Sequence, residues 1–496
     1  MPKYDYLIIG GGIAGVTAAE TIRENDPRSS IAIISEESYP LYSRVMLPAY
    51  LKKKIARERL FLRKADDFLE KKIDLHLKEK VSFADFRKKE VGLANRTIFG
   101  YEKLLIASGG RASEWGQRQL LGVDGRKASL FAESPSTDSA SRASVNEDDP
   151  WAFASGKRFS EPSSASVKNF PGVRRGDEQS EKQEFIYRLQ TLDDADRLSK
   201  ALVETKQPLV VGASFISLEF LEIFVVNGII PAVLIRNNHF LEHILDPVGG
   251  EILRSNLEHY GIRVQFNDSV AEINKNTGEK LEITTKALRK IECDILALGT
   301  GIERNIEFLK SSGVELGEKG IRANEFLETS EAGVYAAGDV AEFYDLVLGI
   351  HHVVGNWTNA FLQGKRAGLN MLGERAPFKN ITGYSITNLG LQITALGYLG
   401  KPSNTTLAVP TEVGTITKVS EVDIQGKELE TIVRADQTAN QYERFFIKDG
   451  ILVGASLINR FKDKPHLARL IENKVRVEEY KDKLRDFTFD INSIQA

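Results

Sequence analysis

The 496-residue chain holds one cysteine, Cys293. No disulfide can form within it, and no internal dithiol can relay electrons. No apolar run approaches the ~18 residues that a membrane-spanning helix needs. An excess of charge is missing too: 66 basic residues face 69 acidic ones, for a net charge of −3. Nothing in that balance points to nucleic acid or anionic lipid. The opening "MPKYDYLIIGGG" reads as a strand, because charge and glycine interrupt what a signal peptide would require. These absences predict a reducing, cytoplasmic setting, with no nucleic-acid partner and no transmembrane segment. Length predicts two to four domains.

Two stretches share one plan. "YDYLIIG" is an apolar strand, "IAGVTAAETIRE" has helical spacing, and "SIAIISE" is a second buried strand. "PLVVGAS", "FISLEFLEIFVVNG" and "PAVLIRN" repeat the order. Each is a βαβ unit of the usual ~30 residues, so an α/β fold with two Rossmann-like domains is expected. Between the units the composition shifts. Residues 129–166 hold 11 serines and few large aliphatics, too little apolar surface to offset ordering entropy. Residues 112–168 therefore read as a flexible insertion, a spacer whose serines also offer sites for phosphate. From 376 onward, "GYSITNLGLQITALGYLG" and "ERFFIKDGILVGASLI" read as strands. The latter carries a hairpin signal at "KDG", and "KPHLARLIENKV" reads as a short helix. This predicts a smaller α+β C-terminal domain.

The first unit carries Gly10, Gly12 and Gly15 in "GGGIAG", with Ile13 and Ala14 opening the helix and Glu36 at the tip of the second strand. The first glycine permits a tight turn, the second lets backbone approach a pyrophosphate, and the third lets helix and strand pack closely. The helix start offers N–H groups and positive potential to phosphate. The acid suits ribose hydroxyls. The second unit keeps Gly212 but has Ser214 and Ser217 in place of the other two glycines, and Arg236 in place of the acid. Arginine removes the repulsion felt by a 2′-phosphate, which favours NADPH over NADH.

Two further segments, "YEKLLIASGGRA" (101–112) and "VYAAGDVAEF" (334–343), end strands in small residues and in Gly338-Asp339. With the first glycine loop they make the chain resemble the flavin-dependent pyridine nucleotide–disulfide oxidoreductase superfamily. The resemblance implies FAD beside Ala107, Ser108, Gly109 and Gly338, with Asp339 on the ribityl chain and Val81 added to the same set. This chain has "ASG" where the family has "ATG". "YPLYSRVMLPAYL" lacks the cysteines of dithiol branches. It is similar instead to the rubredoxin reductase and nitrite reductase large-subunit branch, which implies that Arg44 contacts the flavin nucleotide. "GNWTNAFLQGKRAGLNML" also resembles that branch and puts Trp357 either beside the isoalloxazine or in the core. At the second loop the resemblance implies NAD(P)H against Gly212, Ser214, Phe215, Ile216, Gly299 and Thr300, with Glu219 near the nicotinamide. Glu219 is the one side chain to which a catalytic part is open.

The resulting expectation is an FAD-dependent NAD(P)H oxidoreductase that passes hydride to flavin N5 and electrons to an external acceptor. That acceptor is a rubredoxin- or ferredoxin-like carrier, oxygen, a quinone or a nitrite reductase component. The rival is a flavin-bound redox sensor or scaffold with little turnover. The expected domains are FAD-binding 1–111, insertion 112–168, return to the FAD domain 169–191, NAD(P)H-binding 192–300, FAD-binding 301–375, and C-terminal 376–496. A homodimer is left open. His351 and His352 lack spaced partners, so no metal site is expected, and Cys293 in "IECDILALG" reads as an inert core thiol.

Overall fold

The computed structural model describes residues 1–113, 184–275, 280–411, 414–422 and 428–496. The serine-rich insertion lies outside them, apart from Ala112 and Ser113.

Near-continuous Ile, Leu and Val runs form parallel strands, because helices cover both faces of such a sheet. In the first sheet, Ile73–His76, Ile31–Ile34, Lys3–Ile9 and Ile98–Ile106 lie side by side in parallel. Glu90–Leu93 and Val81–Asp85 continue it antiparallel, and Val334–Ala336 pairs with the far end of Ile98–Ile106. The second sheet is parallel throughout: Arg263–Gln265, Ala232–Leu234, Pro208–Val211, Ile295–Leu298 and Ile186–Tyr187. In both sheets the first strand of the βαβ unit lies centrally, so its loop opens at the carboxyl edge where ligands bind in such folds.

One boundary moves. The strand Ile186–Tyr187 pairs with Leu296 and Ala297 of the second sheet. The described end of the 169–191 segment is therefore part of the second unit, not a return to the first. A two-residue strand carries too little periodicity to be assigned to either sheet from sequence. The helix after it, Leu192–Ala201, starts as "TLDDADRL" suggests: the Thr191 hydroxyl accepts from Asp194 N at 3.1 Å.

The C-terminal segment forms one antiparallel sheet in the order Gly383–Asn388, Leu391–Gly397, Ile451–Ile458, Gln441–Lys448, Glu428–Asp436, Gly414–Val422, Lys401–Thr411. At "KDG" the chain turns with Asp449 at φ 50° and Gly450 at φ 77°, the left-handed pair that a two-residue hairpin requires. The helix Lys464–Glu472 packs on this sheet through Leu467, Leu470 and Ile471. Cys293 is fully buried, and burial pushes its thiol well above the ordinary range, so it is unreactive.

Candidate functional site

At the first turn, three glycines do three different things. Gly10 sits at φ 115°, and a Cβ there would lie 2.1 Å from the Ala107 carbonyl oxygen. A Cβ on Gly15 would lie 2.0 Å from the Gly10 carbonyl oxygen. Both glycines are demanded by the protein's own packing. Gly12 is different: a Cβ there meets nothing within 4 Å. It caps the helix Ile13–Asn25 with no side-chain bond to the helix N–H groups. Open space over uncapped N–H donors is the arrangement that a pyrophosphate fills.

The floor of this site is built by close helix packing. A Cβ on Gly364 would lie 2.2 Å from the Ala14 carbonyl oxygen, and one on Gly368 would lie 2.9 Å from that of Ala18. These glycines let the helix Trp357–Leu372 rest backbone-to-backbone on Ile13–Asn25. Gly338, at φ 79°, fits against the same Ala14, its missing Cβ 3.2 Å from the Ala14 methyl. Its N–H donates to Gln363 Oε1 at 2.7 Å. Asp339 follows. Burial raises its carboxyl above the usual range, opposed by Arg304 and Arg44. Ser108 Oγ donates to the Asn305 carbonyl at 2.7 Å, and Gly109 turns at φ 64°. Ala107 to Gly109 thus lie where the first sheet meets the crossing ribbon Gly110–Ala112 and Ile302–Arg304. Trp357 and Val81 are half-buried against the core of this unit.

Two expected ligands are held by other protein groups. Arg44 pairs with Glu37 and donates to the Gln190 carbonyl at 2.5 Å, and Tyr42 donates to the second Glu37 oxygen. Glu36 is exposed and pairs with Lys80 at 2.9 Å.

The second turn has the same backbone and different chemistry. Gly212 sits at φ 121°, and a Cβ there would lie 2.5 Å from the Gly299 carbonyl oxygen. Ser214 caps the helix Phe215–Val226 by accepting from Ser217 N at 3.3 Å, while Ser217 Oγ accepts from Ser214 N at 3.3 Å. Ser214 Oγ donates to the Gly299 carbonyl at 2.8 Å. The serines therefore form a capping box, and the Ser214 hydroxyl is committed within the protein. A Cβ on Gly299 would lie 2.1 Å from Ser217 Oγ, so the pair also fixes glycine at 299. Thr300, Ile216 and Arg236 are exposed around this turn. Phe215 packs against Tyr384 of the C-terminal sheet, with ring centroids 4.5 Å apart and the planes tilted by 52°.

Beneath Phe215 three units meet. Glu219 and Glu222 project from one helix face, as i, i+3 neighbours do. Lys52 enters from the first unit, its Nζ paired with Glu222 Oε2 and 3.7 Å from Glu219 Oε2. Asn388 of the C-terminal sheet donates to the Leu218 carbonyl at 2.8 Å and to Glu222 Oε2 at 3.4 Å. Glu219 Oε2 is buried and takes no hydrogen bond among the described residues. Burial pushes the Glu219 carboxyl up to about 6, with Glu222 adding to the rise and Lys52 opposing it. Lys52, Glu222, Tyr384 and Asn388 carry no local signal in the sequence beyond the spacing of the two glutamates.

A carboxyl raised from 4.5 to about 6 favours folding below pH 4.5, and that advantage is lost as pH rises through 6. Glu219→Gln is therefore expected to stabilise the protein by about 2 kcal/mol at pH 8, since a tenfold change in proton affinity is worth ~1.4 kcal/mol. It should have little effect at pH 4, and urea titrations at both values check this.

Two dinucleotide turns, a Gly-Asp turn beside the first and a buried carboxyl beside the second define a reductase of the two-Rossmann flavin and nicotinamide class. The chain belongs to the pyridine nucleotide-disulphide oxidoreductase family, whose model matches residues 4–149 and 153–364. The family's cofactors are FAD and NAD(P)H, and the chain is an NAD(P)H oxidoreductase. The rubredoxin NAD+ reductase C-terminal domain matches residues 415–475. An NADH-rubredoxin oxidoreductase of Clostridium acetobutylicum is 25% identical, covering 81% of this chain and 84% of the relative. An NADH oxidase of Methanocaldococcus jannaschii is 24% identical, over 91% and 87%. In the covalent putidaredoxin reductase–putidaredoxin complex, a chain of the same fold matches with TM-score 0.73 and 18% identity, covering 98% of this chain and 97% of that one. No helix among the described residues is long and apolar enough to cross a membrane.

Proposed function

We propose that this reductase takes electrons from NAD(P)H at the second turn and delivers them to a small one-electron carrier protein of the rubredoxin or ferredoxin kind. The observation that carries this reading is the pairing of a cysteine-free "YSRVML" segment with a C-terminal domain of the rubredoxin reductase type. With Cys293 alone and buried, electrons have no protein dithiol to pass through, so an external acceptor must take them. The relatives include rubredoxin reductases and an NADH oxidase, and the C-terminal match favours the carrier over oxygen.

Gly10, Gly12, Ile13, Ala14 and Gly15 would hold the FAD pyrophosphate through backbone N–H groups. Glu36 would take the adenosine ribose once Lys80 yields, and Asp339 the ribityl hydroxyls. Val81, Ala107, Ser108, Gly109, Gly338 and Trp357 would line the flavin, and Arg44 would lie at its nucleotide. A bound flavin supplies two-electron uptake from the nicotinamide and single-electron release to a carrier. Gly212, Ser214, Phe215, Ile216, Gly299 and Thr300 would border NAD(P)H. Phe215 and Tyr384 exclude water from the carboxyl beneath them.

Arg236 favours NADPH, since it is exposed at the strand tip and has no partner among the described residues. Arg236→Glu is expected to lower kcat/KM for NADPH about tenfold relative to NADH, the effect of ~1.4 kcal/mol. Equal effects on both nucleotides would remove Arg236 from the 2′-phosphate site. The overall reading is tested with the flavin-loaded protein: NAD(P)H-driven reduction of an oxidised rubredoxin or ferredoxin is expected to outpace oxygen consumption.

A further inference from the structure

Two carboxyls and one ammonium share the junction of three units. Side-chain exposure is 9% for Lys52, 16% for Glu219 and 11% for Glu222. If both acids were ionised the cluster would carry net negative charge away from water, which is unfavourable. Geometry says which acid is the weaker host for charge. Glu222 has Lys52 against it and the Asn388 amide at 3.4 Å. Glu219 has Lys52 at 3.7 Å and one oxygen with no donor. The other charged or titratable groups facing Glu219 are Lys54 from the first unit and Tyr384 from the C-terminal sheet. Tyr384 is pushed up to about 12 by burial and by Glu219, and so stays neutral.

We infer that Glu222 is a positioning residue: it holds the Lys52 ammonium away from Glu219, leaving the Glu219 carboxyl free to take up and release a proton during turnover. This rests on the one-electron acceptor proposed above. Reduced nicotinamide gives up two electrons and one proton on becoming NAD(P)+. Two carriers take one electron each, so one proton remains per turnover and must leave the site. The Glu219 carboxylate accepts that proton, becoming a carboxylic acid, and then returns it to water. Its poise near neutrality suits such transfer. Were Lys52 paired to Glu219 instead, the acid would be too strong to hold a proton at pH 6–7.

The test uses Glu222→Gln, with Glu222→Asp as the conservative variant. Two readouts are followed against pH. One is the infrared carboxyl band of Glu219, assigned by its loss in Glu219→Gln. The other is the anaerobic rate at which an oxidised rubredoxin or ferredoxin restores the colour of the NAD(P)H-reduced flavin, the step that releases the proton. In the parent protein both are expected to turn near pH 6. In Glu222→Gln, Lys52 moves to Glu219 and both inflections fall by about one pH unit or more, a tenfold change in proton affinity. Glu222→Asp restores most of the parent behaviour. Unchanged inflections in a Glu222→Gln protein that retains its flavin overturn the inference. Should that variant fail to fold, Lys52→Gln serves instead, and its inflections must rise; no rise overturns the inference equally. If the parent flavin bleaches with neither nucleotide, the reductase reading falls first and this inference with it. Normal bleaching with unmoved inflections removes only the role of Glu222.

Discussion

Gly12→Asp is expected to give a protein that folds at least as well as the parent and carries no flavin. The two halves of this result have separate causes. A side chain at Gly12 enters open space, and the residue's φ of −78° suits any amino acid. Aspartate is also among the best residues at a helix start, where it satisfies orphan N–H groups and favours the dipole. Those same N–H groups are the ones a pyrophosphate needs. A carboxylate there takes its place and repels it. The loss of affinity should exceed ~3 kcal/mol, more than a hundredfold. Absorbance of the purified protein reports flavin content, and thermal melting of the flavin-stripped forms reports the fold. Gly10→Ala is the contrast: its methyl would overlap the Ala107 carbonyl, so it should lose fold and flavin together. Retention of flavin by Gly12→Asp would remove the first turn as the cofactor cradle.

Gly364→Leu is expected to cost about 3 kcal/mol or more, at the upper end for overpacking. Its side chain would start 2.2 Å from the Ala14 carbonyl oxygen and 2.8 Å from the Ala14 Cα. Backbone atoms cannot rotate away, so the helix Trp357–Leu372 must lift from Ile13–Asn25. Ala14 touches Gly338 on its other side, so lifting also disturbs the Gly-Asp turn and flavin content should fall. Lys365→Leu, on the exposed face of the same helix, is the control and should stay within ~0.5 kcal/mol of the parent. Urea titration of both variants reads the difference.

These positions show how far the sequence could be read. Gly10, Gly12 and Gly15 are legible because a local turn, its flanking strand and its helix all lie within one stretch of chain. The division of labour among them is legible too, but the partner that fixes Gly10 is not, since the Ala107 carbonyl is brought close by sheet pairing. The altered second loop is legible as altered. The capping box of Ser214 and Ser217 and its tie to Gly299 needed the fold, because Gly299 follows a neighbouring strand. Glu36 is the natural ribose acid by position, while the adjacent Glu37 turns inward to Arg44 and Tyr42. Alternating strand-end geometry decides that choice, and composition does not. Lys52 and Glu222 lie 170 residues apart along the chain, and no local pattern predicts their meeting.

Electron flow from nicotinamide through flavin to a carrier is tested by anaerobic mixing of the flavin-loaded protein with NADH and, separately, NADPH, followed by addition of an oxidised rubredoxin or ferredoxin. At least one nucleotide is expected to bleach the flavin within the time of turnover, and the carrier is expected to restore its colour. Failure of both nucleotides to bleach it would contradict that electron path at its first step.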